Sequence, residues 1–425
     1  MKLTISKVER YALNLPFSCD RQRFHMHRAL THGERVILWK LETDAGIVGW
    51  GDADTGQPPP SPQQVASLVG RNLFEYLNDD TLDDGLQQAV LDAAGKALEV
   101  PVHKLLGEKV RDASPIAWWD IDMPPEDWAE EVKLAISQGY TSIKLKARPW
   151  RDIVAQIDAV DKVAIPGWKC DIDFNGYMIN SGNAIPILKE LDEFECVGFY
   201  ESPIDQGDVP GSKELRRHIK RPVAFHWGSP PIPTAMQENV CDGFVMGGKV
   251  NTMRAQAAIA AQFNKPFWLQ MVGTSVRTAY AVHLGAVLSH AQWPMITCHC
   301  LWANSLLKEP LKVVNGYIKV PTTPGLGIEV DEEAVNRYRV DPAAKTPKDE
   351  FMAKRRVITV RWPAAAGQKK GPGYRFTHEL DKHWAFARGS LPGFARGVTE
   401  EVIEDDGSTA FARLHERVLA GDCQE

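Results

Sequence analysis

The chain has 425 residues, 44% hydrophobic and 24% charged, with a formal net charge of −6. That balance excludes a dedicated nucleic-acid binder, and no Lys/Arg run is dense enough to restore one. The length implies two or three domains, and no apolar stretch reaches transmembrane length.

The opening Met1-Lys-Leu-Thr-Ile-Ser-Lys-Val8 lacks the uninterrupted apolar core of a signal peptide. Seven scattered cysteines (Cys19, Cys170, Cys196, Cys241, Cys298, Cys300 and Cys423) fit a reducing cytoplasm better than a disulfide framework. Cys298 and Cys300 lack the second pair that a zinc site needs. A cytoplasmic protein is the expectation.

Residues 1–55 read as an antiparallel meander. Thr4 to Leu13 and Arg35 to Thr43 alternate as strands, Asp44-Ala-Gly46 is a hairpin turn, and Ile47 to Gly51 returns. The loop between the first two strands carries Arg21, Arg23, His25, His27, Arg28 and His32. It is either a solvated basic loop or a lid that brings cationic groups to an anionic ligand. On the second reading His25 and His27 are candidate substrate-binding residues.

A helix is expected over Thr81 to Leu98. Beyond Val110 the pattern becomes one strand and one helix per unit. The predicted strands are Ile116–Trp119, Ser142–Lys146, Lys169–Asp173, Gly198–Glu201, Pro222–His226, Gly243–Met246, Pro266–Gln270 and Met295–Cys298. Eight strands alternating with helices make an α/β protein, a (β/α)8-type, TIM-like barrel behind an N-terminal α+β capping domain.

In such a barrel the carboxyl ends of the strands carry the chemistry. Those ends supply Lys144 and Lys146, then Asp173, then Glu201, then His226. Period-2 alternation places both ammonium groups on one face of their strand. Two solvated lysines would be the plain reading. The acids that follow, each about one β/α unit further on, favour convergence at the barrel mouth. Two carboxylates there form a hard-cation site, with the lysines placed to take a substrate proton.

Several stretches then resemble the enolase superfamily, in its mandelate racemase/muconate lactonizing branch. Thr43 to Gly51 resembles the capping-domain hairpin, and Leu91 to Arg111 the helix and turn that lead into the barrel. Lys144-Leu-Lys146, Asp173-Phe-Asn175 and Glu201-Ser-Pro203 resemble the Lys-x-Lys, Asp-x-Asn and Glu-x-Pro signatures, and Pro324 to Asp331 the closing segment. The resemblance implies removal of a proton α to a carboxylate. Mg²⁺ would bind the substrate carboxylate, Lys146 would be the base, and Lys144 would lower its pKa. It also implies Asn175 as a substrate-binding residue, a small-molecule carboxylate as the partner, and a homo-oligomer.

The chain departs from the family pattern at three places. Where the family has an acid on the fifth strand, this sequence has His226, a ligand better suited to Zn, Mn, Ni or Fe than to Mg²⁺. The sixth strand ends without an acid, leaving Lys249 just beyond it, and Ser275, a candidate substrate-binding residue, falls near the family's seventh-strand His. On the eighth strand His299 stands near the usual Glu, either as the acid that assists a leaving hydroxide or as a hydrogen-bonded core side chain.

The expected organisation is a capping domain over 1–112, the barrel over 113–320, a returning segment over 321–340, and an extension over 341–425. For the last the sequence leaves open packing on the cap or on a neighbouring subunit. The expected function is a lyase, a metal-dependent dehydratase of a hydroxy acid such as a sugar acid. An isomerase (epimerase or cycloisomerase) and a degenerate binding barrel are the alternatives.

Overall fold

The computed structural model describes residues 2–53 and 58–425. Met1 and the last two residues of the expected meander, 54 and 55, lie outside that set. Ile5–Asn14, Arg35–Thr43 and Val48–Ala53 form an antiparallel sheet with Arg35–Thr43 in the centre. The helix Asp84–Ala97, capped by Asp83, lies directly on the returning strand. A methyl group on Gly49 or Gly51 would collide with the carbonyls of Ala89 and Gly85, so the Gly-Trp-Gly run permits this close backbone approach.

The basic loop is a helix, Asp20–Arg28. Its buried residues are Gln22, His25, Met26 and His27, three of them polar, so hydrophobic periodicity could not reveal it. The cations expected to meet a ligand are largely answered by acids. Arg21 pairs with Glu131 at 2.7 Å, His25 with Asp127 at 2.8 Å, and His27 with Glu34.

The barrel sheet runs in sequence order: Trp118–Asp120, Ser142–Lys146, Lys169–Asp173, Val197–Glu201, Val223–His226, Gly243–Met246 and Phe267–Leu269. All its neighbours are parallel. The expected eighth strand, Met295–Cys298, is reduced to two isolated parallel bridges. Met295 meets Ile116 and Ile296 meets Gln270, joining the two ends of the sheet. Ile143 and Leu145, fully buried, alternate with Lys144 and Lys146, so the helix-facing side of that strand is apolar and its inner side cationic.

Asp92 fastens the returning segment to the cap. It accepts from the Trp50 amide at 2.9 Å and the Leu326 amide at 2.8 Å, with Lys96 at 2.7 Å. The extension forms its own antiparallel sheet, Gly373–Phe376, Arg356–Arg361 and Thr399–Glu404, with a helix over Glu379–Ala387 and another over Thr409–Leu419. It packs within the same chain, across the barrel mouth. Phe394 meets Phe174 at 5.6 Å between ring centroids and its amide donates to the Pro149 carbonyl at 2.8 Å, while Asp152 accepts from the Gly397 amide at 2.7 Å. Among the described residues no helix is long and apolar enough to cross a membrane.

Asp92→Ala would strand two buried amides, each costing about 1–3 kcal/mol. We expect a loss of at least about 2 kcal/mol in urea unfolding, with Asp92→Asn losing less.

Candidate active site

Period-2 alternation on the second barrel strand carries Lys144 and Lys146 inward, and the third and fourth strands end beside them in Asp173 and Glu201. Lys144 has no exposed surface. Its Nζ donates to Gln270 Oε1 at 2.7 Å, contacts Glu201, lies 3.4 Å from Asp173, and sits 5.4 Å from the Trp268 ring centroid. Lys146 donates to Asp173 at 2.5 Å and to Asn175 Oδ1 at 3.3 Å. Asn175 turns just past its strand at φ 46°, and its amide donates to Asp173 Oδ1 at 2.9 Å.

These contacts separate the two lysines electrostatically. Burial works against the charge of Lys144, but Glu201 and Asp173 outweigh it and hold its pKa above the ordinary 10.5. For Lys146 burial dominates; Asp173 opposes it, Lys144 adds to it, and the net shift is downward. Burial alone would raise Asp173, yet Lys146 and then Lys144 hold it below the ordinary carboxylate range. Asp171, two residues earlier, is driven well above that range by burial and then by Glu201.

The remaining expected residues are distributed around this centre. His226 Nε2 lies 3.0 Å from Glu201 Oε1, with its side chain 42% exposed. His299 approaches Tyr140 Oη at 3.2 Å and Thr297 Oγ1 at 3.0 Å, and burial pushes its pKa down to about 4. It is therefore neutral near pH 7 and no ready-charged acid. His32 is also held neutral, at about 3, by burial and then by Lys146, Lys348 and Lys144. Ser275 is buried at the start of the helix Ser275–Val287, and Lys249 donates to the Asp80 carbonyl at 2.9 Å; neither lines the cavity described below.

Magnesium does not fit this donor set. Mg²⁺ and other hard cations take oxygen ligands, whereas the third position here offers an imidazole nitrogen. Each of those carboxylates already faces an ammonium. Among the described residues, no three His, Cys, Asp or Glu side chains gather closely enough to hold a metal ion. Both Glu201 oxygens lack an aligned hydrogen-bond donor, so what they make with Lys144 and His226 are ion contacts.

Lys146 opens into a cavity of about 470 Å³. Its walls come from the barrel (Lys146, Arg148, Asn175, Tyr177), from the helix Asp20–Arg28 (His25, Arg28), and from the extension (Lys382, His383). His27 does not reach it. Sequence reasoning missed Arg148, Tyr177 and His383. Arg148 continues the spacing of Lys144 and Lys146 by two more residues, a signal that was available. The extension residues lie more than 200 positions downstream of Asn175, and nothing local announces them.

Residues 127–334 match a family model described as enolase C-terminal domain-like. The D-gluconate dehydratase of Thermoproteus tenax is 24% identical over 384 residues, covering 73% of this chain and 74% of its own. The N-succinyl-L-Arg/Lys racemase of Bacillus cereus is 22% identical over 386 residues, covering 80% and 98%. A crystal structure of a mandelate racemase/muconate lactonizing family protein from Azoarcus sp. EbN1 superposes with a TM-score of 0.65 at 22% identity, over 80% of this chain and 98% of that one. Residues 127–334 thus carry the enolase C-terminal domain-like pattern, and the relatives support a place in the enolase superfamily, on the side of its mandelate racemase/muconate lactonizing branch.

Glu201→Gln leaves Lys144 buried with its main counter-charge gone. Breaking a buried pair on one side costs about 3–5 kcal/mol, and chemical denaturation of the variant should show a loss of that size.

Proposed function

We propose that this chain removes the proton α to the carboxylate of a small hydroxy acid, of the sugar-acid class, and expels the β-hydroxyl to give a 2-keto acid. The observation that carries the reading is the unequal pair of lysines. Lys144 is kept charged by Glu201, while Lys146, its pKa lowered by burial, faces the cavity.

Neutral Lys146 takes the α-proton, and the charge that develops on the substrate carboxylate falls beside fixed cations. The protonated Lys146 then returns that proton to the departing hydroxyl on the same face. Water leaves, and the enol tautomerises to the ketone. His299 has no part in these steps, and none runs through a metal ion. The partner is a small-molecule carboxylate. A homo-oligomer in a reducing cytoplasm, in keeping with the superfamily and with seven free cysteines, completes the reading.

The main competing reading is a binding protein, favoured by the ion pairs that close both carboxylates. An epimerase is the other alternative. Incubation with D-gluconate, D-xylonate and D-galactonate in D2O separates them. A dehydratase yields 2-keto product, an epimerase returns labelled substrate, and a binding protein gives neither.

Lys146→Ala should lower turnover at least about 100-fold; survival of activity would remove Lys146 as the base. Because the base acts deprotonated, kcat/KM should rise with pH and level off below the 10.5 of an ordinary lysine. Prolonged EDTA treatment should leave turnover unchanged, and loss restored by Mg²⁺ would return the metal to the reaction.

A further inference from the structure

The cavity holds one buried guanidinium that no acid meets in an ion pair, although its field helps to hold Asp173 below the ordinary carboxylate range. Arg148 is 8% exposed. Its Nη1 donates to the Ala147 carbonyl at 2.8 Å and its Nη2 to Asn175 Oδ1 at 3.1 Å, and it lies 5.3 Å from the Tyr177 ring centroid. Among the described residues no carboxylate comes within ion-pair distance of it. The other cations lining the cavity are all matched. Arg28 meets Glu379 and Glu400, each at 2.9 Å, Arg151 meets Glu400 at 3.0 Å, Lys382 meets Glu379 at 2.6 Å, and Lys146 meets Asp173. Asp122 also lines the wall, 3.5 Å from Arg151.

With Lys146 protonated, pairing those charges off leaves the cavity one positive charge in excess, located at Arg148. A buried guanidinium without an ion-pair partner is costly, and its planar fork suits a carboxylate. Facing the cavity from the extension is His383, joined to Tyr177 by a hydrogen bond and held below its ordinary pKa by burial, Arg148 and Lys382. A neutral imidazole there offers a polar contact to a ligand hydroxyl. Trp150 and Trp384 supply flat apolar walls for the carbon chain.

We propose that Arg148 is the carboxylate-binding residue of this site and that the C-terminal extension, through His383 and Trp384, forms the wall that selects the rest of the ligand, a small polyhydroxylated monocarboxylate. The inference rests on the reading of Lys146 given above and deepens it. Arg148 receives the anionic end where a metal ion would otherwise be needed. The extension supplies recognition that the barrel and cap alone do not provide.

The test uses the full chain. Calorimetric titration with D-gluconate, D-xylonate and D-galactonate, and with uncharged D-glucitol, is run on the native protein, Arg148→Gln and, as a lysine outside the cavity, Lys249→Ala. At least one acid should bind the native protein, D-glucitol should not, and Arg148→Gln should weaken the acid at least tenfold. Lys249→Ala should weaken it less than threefold. His383→Asn should reorder the three acids. Failure of all three acids to bind, binding of D-glucitol as tight as that of the acids, equal losses at Lys249 and Arg148, or an unchanged order in His383→Asn overturns the proposal.

If Arg148→Gln loses its cooperative melt, Arg148→Lys carries the test. It keeps the charge without the fork, so at least threefold weaker binding is expected, and native affinity overturns the assignment. The two readings fail separately. Acid binding that depends on Arg148 without proton exchange or product removes the enzyme reading alone. Turnover whose KM ignores Arg148 removes this one alone.

Discussion

Everything at the barrel mouth depends on charge compensation without water. Two ammoniums and two carboxylates, none more than marginally exposed, are held at the ends of three adjacent parallel strands. No one of them could be buried alone, because removing an ion from water costs more than any single contact returns. The strands fix how the four charges are shared. Lys144 lies deep enough to touch both acids, whereas Lys146 touches one and borders open space. From that asymmetry comes the division between a permanent cation and a lysine that can lose its proton.

The same balance accounts for the departure at the fifth strand. A third carboxylate would leave the cluster negative and ask for a cation. His226, half exposed and set against Glu201, adds no such charge. The two ammoniums and two carboxylates balance as they stand, and the cation left without an ion pair lies further out, at Arg148.

Much of this was legible in the sequence because strand ends are punctuated by polar residues in an otherwise apolar repeat. Lys144, Lys146, Asp173 and Glu201 stand at such ends, and the family signatures coincide with them. The elements that escaped did so for physical reasons. The helix Asp20–Arg28 buries polar residues that are satisfied by distant acids, so its pattern reads as a solvated loop. The eighth stave is held by two bridges rather than a ladder, which no local propensity distinguishes from a strand. Gln270, the hydrogen-bond partner of Lys144, follows the short strand Phe267–Leu269 and looks like any surface glutamine. The place of the extension depended entirely on long-range pairing.

That pairing has a further implication for how such a site can change. Glu379 and Glu400 answer cations contributed by the Asp20–Arg28 helix, by the segment after the second barrel strand, and by the extension itself. Replacing the tail piecemeal would leave Arg28 without its acids and Arg151 with Asp122 alone. The tail that walls the cavity is thus anchored by the same two glutamates that satisfy the scaffold's arginines. A graft from another chain would have to import both acids together, or find a host that lacks both arginines.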